Sequence, residues 1–259
     1  MSNPRILIVI DVGNTNTVCG VFEGDRPVKN FRISTDIDRT PDEYAALLMP
    51  LLQRFDIDFS NPEGVAICSV VPPLNSCFEV LSQRYFGKQA LFVEPGIKTG
   101  LSIHYDNPTE VGADRIVNAV AAREQYGSPV VVVDFGTATT FDIIGSEGEY
   151  AGGVISPGLV ISAEALFSHA SRLYQIDVKR PDRLIGRNTA AAMQSGLYYG
   201  YVGLVDGILK RLSNEIPNLQ RIVATGGQAE LIASGSDFIQ EVNSDLTLEG
   251  LRLIYERNR

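Results

Sequence analysis

Histidine and cysteine are scarce in this chain, and their scarcity removes several kinds of chemistry at once. The only histidines are His104 and His169, far apart and without a carboxylate-rich ligand pattern around them. A zinc site is therefore not expected, nor is a mechanism built on a histidine pair. Cysteine occurs three times, at Cys19, Cys68 and Cys77, with no CxxC pair; these read as reduced thiols rather than a disulfide framework. Long apolar runs are missing too. Stretches such as "ILIVI" and "VVVV" are strand-sized and far short of the roughly 20 residues a spanning helix needs. Residues 1–4 are polar and lead straight into a strand, without a basic leader region or cleavage site. A cytoplasmic protein with no membrane partner is expected. Positive charge is also in deficit: 22 Lys and Arg against 31 Asp and Glu leave a net charge of −9. That balance argues against non-specific affinity for nucleic acid, and leaves polyanion binding only to a local site.

What is present is a chain of 259 residues, 44% hydrophobic and 20% charged, the composition of a globular protein with one large domain or two of ordinary size. Strands are expected at Ile6–Ile10, Val18–Phe22, Gly64–Val70, Ala90–Val93, Val130–Val133, Thr140–Ile144 and Arg221–Ala224. Between them lie helical patterns. "TPDEYAALLMPLLQRF" carries Thr40 as N-cap, Pro41 at the first helical position and Glu43 to close a capping box. "TEVGADRIVNAVAAREQYG" ends on Gly127 as its stop. A third helix spaces Met193, Leu197, Tyr201, Leu204, Ile208 and Leu212 on one face, and "TLEGLRLIYERNR" closes the chain. Alternating strands and helices with buried Val and Ile runs imply mixed sheets flanked by helices.

Two stretches repeat each other at about half the chain length. "RILIVIDVGNTNTVCGVF" begins at Arg5 and "PVVVVDFGTATTFDII" at Pro129. Each is a β-branched run ending in Asp, one bulky residue and Gly, followed by Thr, Asn and small residues. Gly13 and Gly136 suit tight turns and close backbone approach to a ligand. Exposed N–H groups in such a turn make an anion-binding concavity, to which Thr and Asn side chains add donors. Asp11 and Asp134 stand where a carboxylate holds a hydrated cation against phosphate oxygens. A single hairpin of this kind is better explained by an Asp that merely caps its turn. The duplication favours a pair of phosphate hairpins that grip a triphosphate from both sides.

The other common phosphate-binding patterns are absent. No GxxxxGK(S/T) occurs, and no GxGxxG opens a helix after a strand. The duplicated hairpin instead resembles the superfamily of acetate and sugar kinases, Hsp70 and actin. "RIVATGGQAELI", from Arg221, adds a strand, Thr225-Gly226-Gly227 and a helix, where a glycine pair lets backbone lie close to a flat adenine or ribose. The segments "YDNPTEVGADRIVNAVAA", "DFGTATTFD", "GGVISPG", "GRNTAAAMQSG", "SVVPP" and the terminal "LTLEGLRLIYERNR" together closely resemble the type III pantothenate kinase family, over essentially the whole chain. The resemblance implies two tightly fused ribonuclease-H-like α/β domains with an ATP cleft between them. Residues 1–117 would form the N-terminal half with the first hairpin, and residues 118–259 the C-terminal half with the second hairpin and the adenosine motif.

It further implies phosphorylation of pantothenate by ATP with Mg²⁺, assistance from a monovalent cation (potassium or ammonium), and a homodimer. Matched position by position, Asp114 is the general base. Asp11, Val12, Gly13, Asn14, Thr15, Asn16, Thr17 and Val18 form the first ATP motif, and Thr137 is the second hairpin's ATP contact. Asp134 is the monovalent-cation ligand. Tyr105, Gly112, Ala113, Asp114, Arg115 and Thr189 meet pantothenate. An ordinary aspartate, with a pKa of about 4, is a weak base for an alcohol; it suffices because proton transfer in a loose phosphoryl transfer is late. Without the resemblance, Asp114 reads first as a helix cap or a partner of Arg115, Arg115 as a solvated helix charge, and Asn118 as a packed polar residue or an orienting one. The hairpins contain no lysine, which agrees with a cation taking over charge neutralisation. Gly196 and Gly200, and Gly203 and Gly207, sit one turn apart and mark tight packing, inside a domain or across a dimer. A different kinase or a phosphate-chain hydrolase on the same scaffold, and a non-catalytic regulator, are the alternatives. A regulator would have no need of Asp11, Asp114 and Asp134, all of which are present.

Overall fold

The apolar runs and amphipathic stretches become two five-stranded mixed sheets with helices packed on them. This computed structural model describes residues 5–54, 61–170 and 173–259. The expectations for residues 1–4 and for Phe55, at the end of the first helical stretch, lie outside the described residues.

The first unit contains β1 (Ile6–Val12), β2 (Asn16–Glu23), β3 (Arg26–Ser34), α1 (Pro41–Gln53), β4 (Gly64–Ser69), α2 (Asn75–Leu81) and β5 (Leu91–Phe92), and it holds the start of α3 (Ala113–Tyr126). Its strand order is β3-β2-β1-β4-β5. β1 pairs antiparallel with β2 and parallel with β4, so it is central and buried on both faces. Side chains alternate along a strand. Ile6, Ile8, Ile10 and Val12 thus share one core with Tyr44, Leu48, Leu52, Phe78 and Phe86 of the covering helical segments. Burying each such side chain contributes roughly 1.5–3 kcal/mol. α1 starts as its sequence indicates: the Thr40 side chain accepts from the Glu43 N–H and the Glu43 carboxylate accepts from the Thr40 N–H. Cys19, Cys68 and Cys77 are free, and burial pushes the Cys19 thiol up to about 12, which leaves it inert.

The second unit contains β6 (Val130–Phe135), β7 (Ala138–Ile144), β8 (Tyr150–Pro157), α4 (Leu159–His169), α5 (Thr189–Glu215), β9 (Arg221–Gly226), α6 (Ala229–Ala233) and β10 (Glu241–Val242). Its order, β10-β9-β6-β7-β8, repeats that of the first sheet element for element, with the same antiparallel and parallel pairings. The repeated hairpins are the visible part of a duplicated sheet. α7 (Leu246–Asn258) then returns to the first unit, which takes in the described residues of Met1–Leu101, Asn107–Ala121 and Leu246–Arg259; the second takes in Ser102–Asp106 and Ala122–Asp245.

Two local expectations change. Three strands that the sequence leaves unread, β3, β8 and β10, complete the sheets. α5 buries Tyr198, Tyr201, Val202, Val205, Leu209 and Leu212, rather than the full stripe that runs through Leu204. Leu204 is exposed, because α5 carries apolar residues around more of its circumference than one packed face can cover.

Candidate active site

The first hairpin closes when the Gly13 N–H donates to the Asn16 carbonyl at 3.0 Å, which leaves Asn14 and Thr15 as a two-residue tip. Asp11 and Val12 lie at the carboxyl end of β1, and Asn16, Thr17 and Val18 open β2. Carboxyl ends of parallel strands are where open α/β sheets bind ligands. Asn14, Thr15 and Asn16 are exposed, whereas Thr17 is fully buried. Thr35 fixes this hairpin: its N–H donates to the Thr15 carbonyl at 3.0 Å, and its hydroxyl lies 2.9 Å from that of Thr17. Nothing in the local sequence marks Thr35, which acts across the pairing of β2 with β3.

The second hairpin is one residue shorter. The Gly136 N–H donates to the Ala138 carbonyl at 3.1 Å, so Thr137 alone forms the tip. The Gly158 N–H donates to the Thr137 carbonyl at 3.1 Å and ties the tip to the start of α4. Asp134 is half-buried, in register with Thr140 on one side and Thr225 on the other. Gly226 stands beside its carboxylate with φ +92°, and a Cβ there would lie 2.5 Å from Asp134 Oδ1. Among the described residues no three His, Cys, Asp or Glu side chains converge as a metal site. A cation at Asp134 would therefore be completed by carbonyl, substrate or water oxygens. An oxygen donor set of that kind suits a hard cation rather than a soft transition metal.

The third group opens α3. Asp114 is in its first turn, and its Oδ1 accepts from the Arg115 N–H at 2.8 Å. Burial raises the Asp114 pKa; the Arg115 N–H and then its guanidinium pull the other way without cancelling the effect. The helix N-terminus by itself favours ionisation, so here desolvation outweighs it. Gly112 makes room for the carboxyl group: a Cβ at that position would lie 2.6 Å from Asp114 Oδ1. Ala113 is half-buried beside it. Arg115 is only 6% exposed, which rules out a purely solvated helix charge. Asn118, one turn on, is fully buried, and its Oδ1 accepts from the Thr247 hydroxyl of α7 at 2.8 Å. α7 thus helps to hold the helix that carries Asp114, a role no local pattern announces.

Tyr105 and Thr189 belong to the second unit. Tyr105 is half-buried, with its ring 6.3 Å from that of Tyr150. Thr189 is the exposed first residue of α5, behind the N-cap Asn188, whose side chain accepts from the Ala191 N–H at 2.8 Å. Thr189 also lines a hollow of about 660 Å³ together with Met193, Leu197 and Leu166. The described structure therefore groups the first hairpin and the α3 residues in one unit, and Tyr105, Asp134, Thr137 and Thr189 in the other.

A family model described as type III pantothenate kinase matches residues 7–211. A type III pantothenate kinase of Geobacter sulfurreducens is 56% identical over 254 residues, covering 98% of this chain and all of that protein. One from Koribacter versatilis is 53% identical over 264 residues, covering 98% and 96%. Among solved structures, a Campylobacter jejuni protein described as of a Baf family of transcriptional activators superposes with a TM-score of 0.58 at 21% identity, covering 97% and 98% of the two chains. The activator of 2-hydroxyisocaproyl-CoA dehydratase from Clostridium difficile, with bound ADPNP, gives 0.51 at 11% identity, covering 98% and 96%. At those identities the likeness is one of fold alone.

Proposed function

This chain belongs to the type III pantothenate kinase family, and from that premise we propose how its residues divide the work. The protein phosphorylates pantothenate with ATP, an entry step of coenzyme A biosynthesis. The observation that carries the mechanistic reading is Asp114: a half-buried carboxylate with a raised pKa, in the first turn of α3, with Gly112 cleared away from it.

Asp114 is the general base. The substrate hydroxyl oxygen bonds to the γ-phosphorus as the bond to the ADP oxygen breaks, and the hydroxyl proton passes to the Asp114 carboxylate. A raised pKa makes that carboxylate a better acceptor than an ordinary aspartate. Asp11 to Val18 and Thr137 hold the nucleotide, through backbone N–H groups and the exposed hydroxyl and amide side chains of the hairpin tips. Mg²⁺ bound with ATP supplies charge neutralisation at the phosphate oxygens, with Asp11 beside it. Asp134 holds potassium or ammonium. Tyr105, Gly112, Ala113, Arg115 and Thr189 receive pantothenate, Arg115 as a forked donor to its oxygens.

The test is ADP release with ATP and Mg²⁺, with and without pantothenate, in potassium and then in sodium buffer. Turnover is expected to require pantothenate and to favour potassium. ADP release indifferent to pantothenate would reduce the reading to an ATP-binding scaffold. In Asp134→Asn the advantage of potassium over sodium is expected to vanish; an unchanged ratio would put the cation elsewhere.

A second copy of the chain is the proposed partner. Beyond the backbone of α5 itself, no atom of the described residues lies within 4 Å of where a Cβ would stand at Gly196, Gly200 or Gly203. Among the described residues, none beyond their own helix approaches these glycines closely enough to require them. Tyr199 and Leu204 of the same helix, and Val160 and Leu166 of α4, are exposed. A stripe of small residues bordered by apolar side chains suits a closely approaching helix. Sedimentation equilibrium at micromolar concentration is expected to give twice the chain mass of 28.2 kDa; a single-chain mass would overturn the dimer.

A further inference from the structure

The segment that carries Tyr105 has no core of its own. Residues 102–106 group with the second unit, while the chain on either side of them groups with the first. What fastens the segment is Tyr150, the first residue of β8. The Tyr150 N–H donates to the Ser102 carbonyl and the His104 N–H donates to the Tyr150 carbonyl, each at 2.8 Å. Ile103 and Tyr150 form an isolated parallel bridge. The two tyrosine rings meet at 6.3 Å with a 54° tilt, a tilted arrangement of the kind aromatic pairs prefer.

Tyr150 is itself braced from behind. It is fully buried, and its hydroxyl donates to Asp142 Oδ1 at 2.7 Å. Asp142 is fully buried as well, and its Oδ2 accepts from the Thr140 hydroxyl at 2.9 Å. Asp142 thus accepts from both hydroxyls, and the bond from the Tyr150 hydroxyl fixes the Tyr150 ring. On the other side, Gly152 lies alongside Tyr105: its Cβ position is 4.0 Å from Tyr105 Cε2, ordinary contact distance, and its φ of +123° disfavours any side chain.

We infer that Tyr150, held by the buried Asp142 carboxylate, is the positioning residue that sets Tyr105 and with it the pantothenate-side wall. This inference rests on the assignment of Tyr105 to pantothenate. Tyr150 never touches the substrate; it acts through the ring it backs and the backbone it pairs.

The test is a kinetic double-mutant cycle. In Tyr150→Phe, the KM for pantothenate is expected to rise about tenfold, from loss of one buried hydrogen bond that leaves the Asp142 oxygen without that donor. The KM for ATP and kcat should stay within about twofold. In Tyr105→Ala the added Tyr150→Phe change should cost nothing further, since residues that act through one another are not additive. Additive losses, an unchanged pantothenate KM, or a fall in kcat with both KM values intact would overturn the relay. A second readout stands apart from the reaction. The chain contains no tryptophan, so Tyr105→Trp introduces a lone reporter. Its emission anisotropy is expected to fall when Tyr150→Phe is added. Unchanged anisotropy overturns the brace whatever the substrate, whereas a wild-type enzyme indifferent to pantothenate overturns the substrate assignment and leaves the anisotropy result to decide the brace.

Discussion

Asp114→Asn is expected to bind ATP and pantothenate as the native protein does and to turn over roughly 10²–10⁴-fold more slowly. The asparagine oxygen still accepts from the Arg115 N–H that now reaches Asp114 Oδ1, so the local backbone has no reason to move. What is lost is the proton acceptor. Near-normal turnover in this variant would sink the base assignment. The native enzyme carries a second signature of the same group. Because burial raises the Asp114 pKa, the acidic limb of kcat/KM is expected above the ordinary carboxylate range, and to disappear in Asp114→Asn. The sign for stability runs opposite to that for activity. A carboxyl group whose pKa is raised in the folded state contributes stability fully below its unfolded value of about 3.9. That contribution is lost as pH rises through the folded value. At neutral pH the native protein thus carries a charge it would fold more easily without. Asp114→Asn is accordingly expected to melt at a higher temperature than the native protein at pH 7–8, with the gap closing as the pH approaches 4. A lower melting point for Asp114→Asn at neutral pH would mean that the carboxylate is structurally required.

The parts of this molecule that could be read in advance are those whose cause is local. "ILIVID" and "VVVVDF" become central strands because every residue but the aspartate is apolar and the turn chemistry follows at once. Thr40, Pro41 and Glu43 define a helix start within four positions. β3 escaped because "RPVKNFRIS" lies at a sheet edge, with no fully buried residue along it; edge strands need not carry a continuous apolar run. β8 escaped because its glycines and final proline argue against a strand, and only pairing with β7 overrides them. The candidate site divides in the same way. The carboxylates and hairpin tips stand in contiguous motifs, whereas Thr35, Tyr150 and Thr247 act on Thr17, Tyr105 and Asn118 across strand pairing or helix packing. The raised pKa of Asp114 was hidden for a similar reason. Its place at a helix start is visible in the sequence and favours the charged form, but its burial depends on the rest of the fold.

Gly226 is where a local reading and the folded structure give different reasons for the same residue. By position in a strand-T-G-G-helix turn, it leaves room for a nucleotide. In the folded second unit its own neighbours already demand a glycine. A Cβ would lie 2.5 Å from Asp134 Oδ1 and 2.7 Å from both the backbone N and O of Phe135, and φ is +92°. Phe135 is in register with Gly226 across the parallel pairing of β6 and β9, so backbone atoms of a central strand would have to give way. Gly226→Ala is therefore expected to destabilise the nucleotide-free protein by roughly 3–5 kcal/mol, combining the cost of an overpacked core with that of a left-handed alanine. At this chain length that is a fall of about 10 °C in the melting transition. The same methyl group displaces the Asp134 carboxylate, so the fraction that still folds should lose its preference for potassium along with its turnover. If the glycine were needed only for the nucleotide, the outcome would be different. The melting point without ATP would stay native, potassium would still activate, and only the KM for ATP would rise. Measuring the melt before any nucleotide is added separates the two causes, because in that sample only the protein's own atoms can object to the methyl group.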